Sequence, residues 1–179
     1  MNDSNFINIK RDCDGYLIPS GDKINLKKGT QVKITQSLGG DFTLYVNGNL
    51  VKISGKDSDA IGEQLKKVAN PHERLDFDEK IIWDVLKTCY DPEIPVNIVD
   101  LGLIYNMEYK KKKSKKYFIN INMTLTAPGC GMGPIIAQDV ETKIKNLSFV
   151  EDILVEVVWD PIWNQDMMSE ESKLKLGML

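Results

Sequence analysis

The sequence predicts an α+β protein, with a small β-rich N-terminal domain (1–72) followed by an α-β-β-α-β two-layer domain (73–179). Three observations carry this reading. Apolar residues alternate with polar ones through the stretch 31–53, the signature of half-buried strands. They recur instead at helical spacing over 77–89 and 134–147. Between these regimes lies a polar segment broken by proline, Asn70-Pro71-His72-Glu73-Arg74, which marks the boundary.

In chain order, Val32 and Ile34 sit on one face of a first strand, and Gly39-Gly40-Asp41 turns the chain. Phe42, Leu44 and Val46 continue the alternation. Asn47-Gly48 is a strong hairpin signal ahead of Leu50-Val51-Lys52-Ile53. The result is a three-stranded antiparallel meander, with Tyr16-Leu17-Ile18 as a fourth strand. A short helix capped by Asp57 or Ser58 should follow and bury Ile61, Leu65 and Val68.

In the second half, Asp76 with Glu79 three residues on resembles a capping box. It should start a helix whose stripe is Phe77, Ile81, Ile82, Val85, Leu86 and Cys89, ended by Asp91-Pro92. Two strands of a hairpin follow, one carrying Leu101, Leu103, Tyr105, Met107 and Tyr109, the other Tyr117, Ile119, Ile121, Met123 and Leu125. Pro134 suits the first turn of a helix striped by Ile136, Val140, Ile144 and Leu147. A last strand holds Ile153, Val155, Val157 and Trp159 on one face, so that helices lie against a mixed sheet. The tail from Asn164 reads as irregular or weakly helical.

Composition narrows the functional classes. Of the 179 residues 42% are hydrophobic, enough to build a core without cross-links, and the net charge of −3 does not suit a nucleic-acid binder. No apolar run approaches the roughly 20 residues needed to span a bilayer. The polar start Met1-Asn2-Asp3-Ser4 lacks the basic and apolar regions of a secretory signal, so a cytoplasmic location is expected. Three cysteines, with no Cys-x-x-Cys pair, should persist as thiols in such a compartment. With His72 the sole histidine, a self-contained four-ligand zinc site is not expected. Nor is a Ser/His/Asp arrangement, because His72 falls in the linker.

Cys130 stands out, in Ala127-Pro128-Gly129-Cys130-Gly131-Met132-Gly133-Pro134. It lies between glycines just ahead of a helix, where backbone N–H groups and the helix dipole favour a thiolate, the form that binds metal. Flanking glycines let a bulky inorganic group approach the backbone. Cys89 lies in an apolar stripe and reads as core. Cys13 lies among acids that should raise its pKa and blunt its reactivity. The carboxylates of Asp91, Glu93 and Asp100 admit two readings of equal weight: metal or partner binding, and turn formation. Lys110 to Lys116, with six lysines in seven positions, reads as a solvated hairpin loop.

Three blocks together resemble the PaaD-like metal–sulfur cluster assembly family: Asp91-Pro92-Glu93-Ile94-Pro95-Val96-Asn97-Ile98-Val99-Asp100-Leu101-Gly102-Leu103-Ile104, then Thr124 to Pro134, then Val158-Trp159-Asp160-Pro161-Ile162-Trp163. They span most of residues 77–165. The glycine-rich version around Cys130 resembles one branch of the family, as do Arg11-Asp12-Cys13, Ile34 to Gly40 and Asn47-Gly48-Asn49. The resemblance implies the α+β fold and a non-enzymatic accessory role in maturing iron–sulfur proteins. It implies a reactive Cys130, with Thr126, Gly129 and Gly131 around it, and an acidic loop at Asp91 and Glu93. The implied cargo is a labile iron–sulfur cluster held through Cys130 and shared with a second protomer or a partner, since one thiolate cannot supply the usual four ligands. The implied partners are the iron–sulfur assembly machinery and apo-proteins, with a homodimer as one way to complete ligation, and with neither nucleic acid nor membrane. Two rival readings are a metal-free adaptor and an enzyme with Cys130 as nucleophile. The shorter family members lack the N-terminal domain, and many have Cys-Pro in place of Cys130-Gly131.

Overall fold

The computed structural model describes residues 6–63 and 76–178. It divides into two compact units, one within Met1–Ala69 and the other within Asn70–Leu179. The boundary expected at 72–73, and His72 with it, lies outside the described residues.

The first unit is a six-stranded, wholly antiparallel sheet. Its strands are β1 (Phe6–Asn8), β2 (Cys13–Ile18), β3 (Lys23–Leu26), β4 (Gln31–Leu38), β5 (Asp41–Val46) and β6 (Asn49–Ile53), in the order β1-β4-β5-β6-β2-β3. The expected meander is β4-β5-β6, and the strand at Tyr16-Leu17-Ile18 pairs with β6. Strands β1 and β3 extend it at both edges and were not expected. One face buries Val32, Leu44, Val46, Val51 and Ile53 with Ile9, Leu26, Ala60 and Ile61. Alternation therefore places the right residues inside.

The helix expected after β6 is corrected. A 3-10 helix runs Gly55–Ile61, with Ser54 rather than Asp57 or Ser58 as cap, its hydroxyl accepting from the Lys56 N–H. It stops at Gly62, whose φ of +80° and N–H bonds to the Asp59 and Ser58 carbonyls form a left-handed C-cap. Leu65 and Val68, the rest of that expected helix, lie outside the described residues.

The second unit follows the expected α-β-β-α-β order: α1 (Glu79–Leu86), β7 (Ile104–Lys111), β8 (Tyr117–Met123), α2 (Gly133–Lys145) and β9 (Val150–Val157), then α3 (Glu170–Lys175). β7 and β8 are antiparallel and β8 and β9 parallel, so the sheet is mixed. One sheet face, Ile119, Ile121, Met123 and Ile153, is buried along with Ile82 and Leu86 of α1 and Ile136, Val140 and Ile144 of α2. Each such side chain removed from water contributes about 1.5–3 kcal/mol.

Four local expectations are corrected here. Asp78, not Asp76, caps α1, accepting from the Lys80 N–H at 2.9 Å. Phe77 is thereby left out of the helix and stacks on Tyr117, with ring centroids 3.9 Å apart and Phe149 edge-on. The helix ends at Leu86, before Cys89, where the Thr88 hydroxyl takes the Val85 carbonyl. Leu101 and Leu103 lie in a buried turn ahead of β7, and a bulge between Ile104 and Asn106 separates them from the strand's alternation. Trp159 lies beyond the end of β9 and is exposed.

Candidate thiol site

Because β8 and β9 are parallel, their C-terminal ends emerge at the same end of the sheet, beside the antiparallel start of β7. Backbone bonds from the Val158 N–H to the Met123 carbonyl and from the Thr124 N–H to the Leu103 carbonyl, both 2.8 Å, tie these three chain exits together. The loop bearing Cys130 leaves from there.

Its shape follows from the sequence. Pro128-Gly129 occupies the two central positions of a turn closed by the Cys130 N–H donating to the Ala127 carbonyl. Gly129 has φ of +83°, the value a type II turn demands of its third residue. A second turn follows at once, the Gly133 N–H donating to the Cys130 carbonyl at 3.1 Å, and α2 then begins with Pro134 in its first turn. Gly133 has no room for a Cβ because Leu125 packs against it. Cys130 is thus held between two turns, half-buried, with exposed Gly129 on one side and half-buried Gly131 on the other. Thr126 is half-buried at the root of the loop. Thr124 is fully buried, and its hydroxyl has no hydrogen-bond partner. Sequence reasoning singled out Thr126 and passed over Thr124, which alternation puts on the face opposite the core-facing Met123 and which is buried all the same.

The other two thiols are withdrawn. Cys13 is 4% exposed on β2, and burial, with the Asp57 charge adding to it, pushes its thiol up. Cys89 is fully buried, its sulfur directed to the Val85 carbonyl.

In the acidic loop, Asp91 is buried and its Oδ1 accepts from the N–H groups of Glu93 (2.8 Å) and Ile94 (2.9 Å). Asp100 accepts from the Asn97 side-chain amide at 2.7 Å, while Asn97 Oδ1 accepts from the N–H groups of Val99 and Asp100. Both aspartates therefore shape the loop, and Glu93 is the carboxylate turned to solvent. Among the described residues no three His, Cys, Asp or Glu side chains converge on a site for a metal ion. Asp91, Glu93, Asp100 and Cys130 are accordingly not assembled into one metal site.

Two of the sequence blocks turn out to be one feature. The segment after β9 straps across the turn before β7. The Tyr105 hydroxyl donates to the Pro161 carbonyl (2.7 Å), the Trp163 indole N–H to the Leu101 carbonyl (2.8 Å), and the Ser169 N–H to the Asp100 carbonyl (2.9 Å). At Gly102, with φ of +72°, the Met167 backbone comes so near that no Cβ would fit. Trp159 and Ile162 are left outside this strap, 42% and 71% exposed. The lysine run caps the opposite end of the sheet, between β7 and β8.

The family model described as iron–sulfur cluster assembly protein matches residues 79–157. The Fe-S protein maturation auxiliary factor of Porphyromonas gingivalis is 44% identical over 108 residues, which cover 60% of this chain and 98% of that one. The Fe-S protein maturation auxiliary factor SufT of Staphylococcus aureus is 40% identical over 88 residues, 49% of this chain and 96% of that one. A crystallised domain of unknown function from Bacillus anthracis is 35% identical with a TM-score of 0.49, covering 56% of this chain and 92% of that one. The two curated relatives are matched almost end to end, so the remainder of this chain has no counterpart in them.

Proposed function

The chain belongs to the iron–sulfur cluster assembly protein family, and on that premise we propose that it is an accessory factor in the maturation of iron–sulfur proteins, carrying iron–sulfur cargo on Cys130. The observation that carries this reading is the contrast among the three thiols: Cys13 and Cys89 are buried, while Cys130 is held on a two-turn loop at the sheet end. The relatives named as maturation auxiliary factors support an auxiliary rather than catalytic role.

A single thiolate fills one of the four positions a cluster requires. The remainder would come from Cys130 of a second protomer, from an assembly partner or from a small thiol. Such incomplete ligation suits hand-over. On transfer, the iron–Cys130 bond is exchanged for a bond to the thiolate of an apo-protein, and the proton that thiol gives up returns to Cys130, with no net oxidation or reduction. Gly129 and Gly131 keep side chains away from the sulfur's approach. The buried Thr124 hydroxyl offers a donor at the root of the loop. No helix among the described residues is long and apolar enough to cross a membrane, and we place this activity in the cytoplasm.

Anaerobic reconstitution of the full chain and of Cys130→Ser, followed by iron and sulfide analysis and Mössbauer spectra, tests the reading. Loading of the wild type and its loss in Cys130→Ser are expected; equal loading overturns it. A second reading, a metal-free adaptor joining the machinery to its targets, is favoured by the exposed Trp159 and Ile162 at the same sheet end. It requires that Cys130→Ser still support maturation in cells.

A further inference from the structure

The lysine hairpin between β7 and β8 gathers six cationic side chains at the far end of the second unit's sheet. Lys110, Lys111, Lys112, Lys113, Lys115 and Lys116 are all exposed, and among the described residues none forms an ion pair. Elsewhere some lysines do pair, as Lys23 with Asp14, Lys27 with Asp12, Lys52 with Asp41 and Lys145 with Asp152, and those left unpaired are not gathered on one loop as these six are.

The loop is also shaped. The Lys112 N–H donates to the Lys116 carbonyl (2.7 Å) and the Lys115 N–H to the Lys112 carbonyl (3.1 Å), while the Ser114 hydroxyl is tied to the Glu151 carboxylate on β9. Lys115 has φ of +68°, a position in such hairpins that glycine or asparagine fills without a Cβ clash. A lysine is kept where the backbone prefers another residue, amid five like charges. Both choices work against local stability and in favour of a concentrated positive tip.

We propose that this tip docks a short Asp/Glu-rich segment of a protein partner. Three observations favour that partner over nucleic acid or membrane. The rings at the hairpin's base are already engaged, Tyr117 stacked on Phe77 with Lys111 over it, and Phe118 beneath Lys112, so they offer no free platform for bases. Exposed Glu108, Glu151 and Asp152 lie just behind the tip and would oppose a broad phosphate surface. Tyr109, beside Lys110, is 44% exposed, but its ring packs on Phe77 and Tyr117 and is not free to enter a bilayer. The contact is therefore narrow and end-on. The seven residues of β8 separate this tip from the Cys130 loop, roughly 20 Å at about 3.3 Å per residue, so a partner held here leaves the thiol end open. The proposal does not depend on what Cys130 carries.

The test uses the full chain and three fluorescent probes at low and high salt: a polyglutamate peptide, a DNA duplex, and vesicles containing phosphatidylserine. The peptide should bind best, with affinity falling as salt rises. Joint replacement Lys110→Gln, Lys111→Gln, Lys113→Gln and Lys116→Gln should weaken it by roughly tenfold or more at low salt. The same four positions changed to Arg should retain binding, which separates charge from folding. Unchanged peptide affinity in the Gln variant, absent peptide binding, or tighter binding of duplex or vesicles overturns the proposal.

Discussion

The two ends of the C-terminal sheet are built by different means. At the lysine end, adjacent strands are joined by a local turn whose own backbone bonds, Lys112 to Lys116 and Lys115 to Lys112, span a few residues, with Ser114–Glu151 and the Tyr117 N–H to the Phe149 carbonyl as its longer ties. At the thiol end, three loops meet through bonds between distant parts of the chain, Tyr105 to Pro161 and Trp163 to Leu101 among them. A charged tip needs only to project into solvent. A thiol that must stay reachable on a loop needs that loop fixed from several directions, and long-range ties supply this.

The largest expected effect is at Gly102. Gly102→Val adds both left-handed strain and a collision with the Met167 backbone, and should cost about 3 kcal/mol or more. Urea unfolding measures the loss, and faster proteolysis within 159–169 would show that the strap has come away. A native-like midpoint would mean that the strap does not fix this end.

Next comes Asp91→Ala, which removes the acceptor for two backbone N–H groups in a buried turn and should cost about 1–2 kcal/mol. Asp91→Asn keeps an acceptor oxygen there and should recover most of that stability. If cluster loading also survives in Asp91→Asn, the carboxylate shapes the loop; if loading is lost while stability is kept, it acts on the cargo.

The lysine end was readable because its signals are local. So were the α2 stripe Ile136, Val140 and Ile144, all buried, and the β4-β5-β6 meander, since spacing alone fixes which face turns inward, whereas Leu147, expected on the same stripe, is buried past the end of α2 at Lys145. Of the thiol site, the unusual setting of Cys130, between glycines just ahead of a helix, was visible. The strap was not. Nothing in the pattern of Asp100-Leu101-Gly102 says that Ser169, Trp163 and Met167 will settle on it, because these contacts, one from a backbone N–H, one from an indole and one a close backbone approach, join groups distant in sequence. The cap of α1 was read at Asp76, and the shift to Asp78 goes with Phe77, whose ring joins Tyr117 and Phe149 rather than the helix stripe.

Two smaller effects sharpen the comparison. Thr124→Val replaces a buried, unpartnered hydroxyl and should raise the stability of the unloaded protein by about 1 kcal/mol. A fall in cluster loading in the same variant would show that the hydroxyl serves the cargo. At the other end, Lys115→Gly relieves the left-handed lysine and should stabilise by up to about 1 kcal/mol while weakening capture of the acidic peptide. Both are read by denaturant midpoints at constant slope.

The most direct measurement is alkylation of the native protein, before and after anaerobic loading with iron and sulfide, with each cysteine followed by mass spectrometry. Cys130 alone should be modified in the unloaded protein, Cys13 and Cys89 should react only on unfolding, and loading should protect Cys130. Modification of Cys130 at the same rate with and without cargo would contradict this.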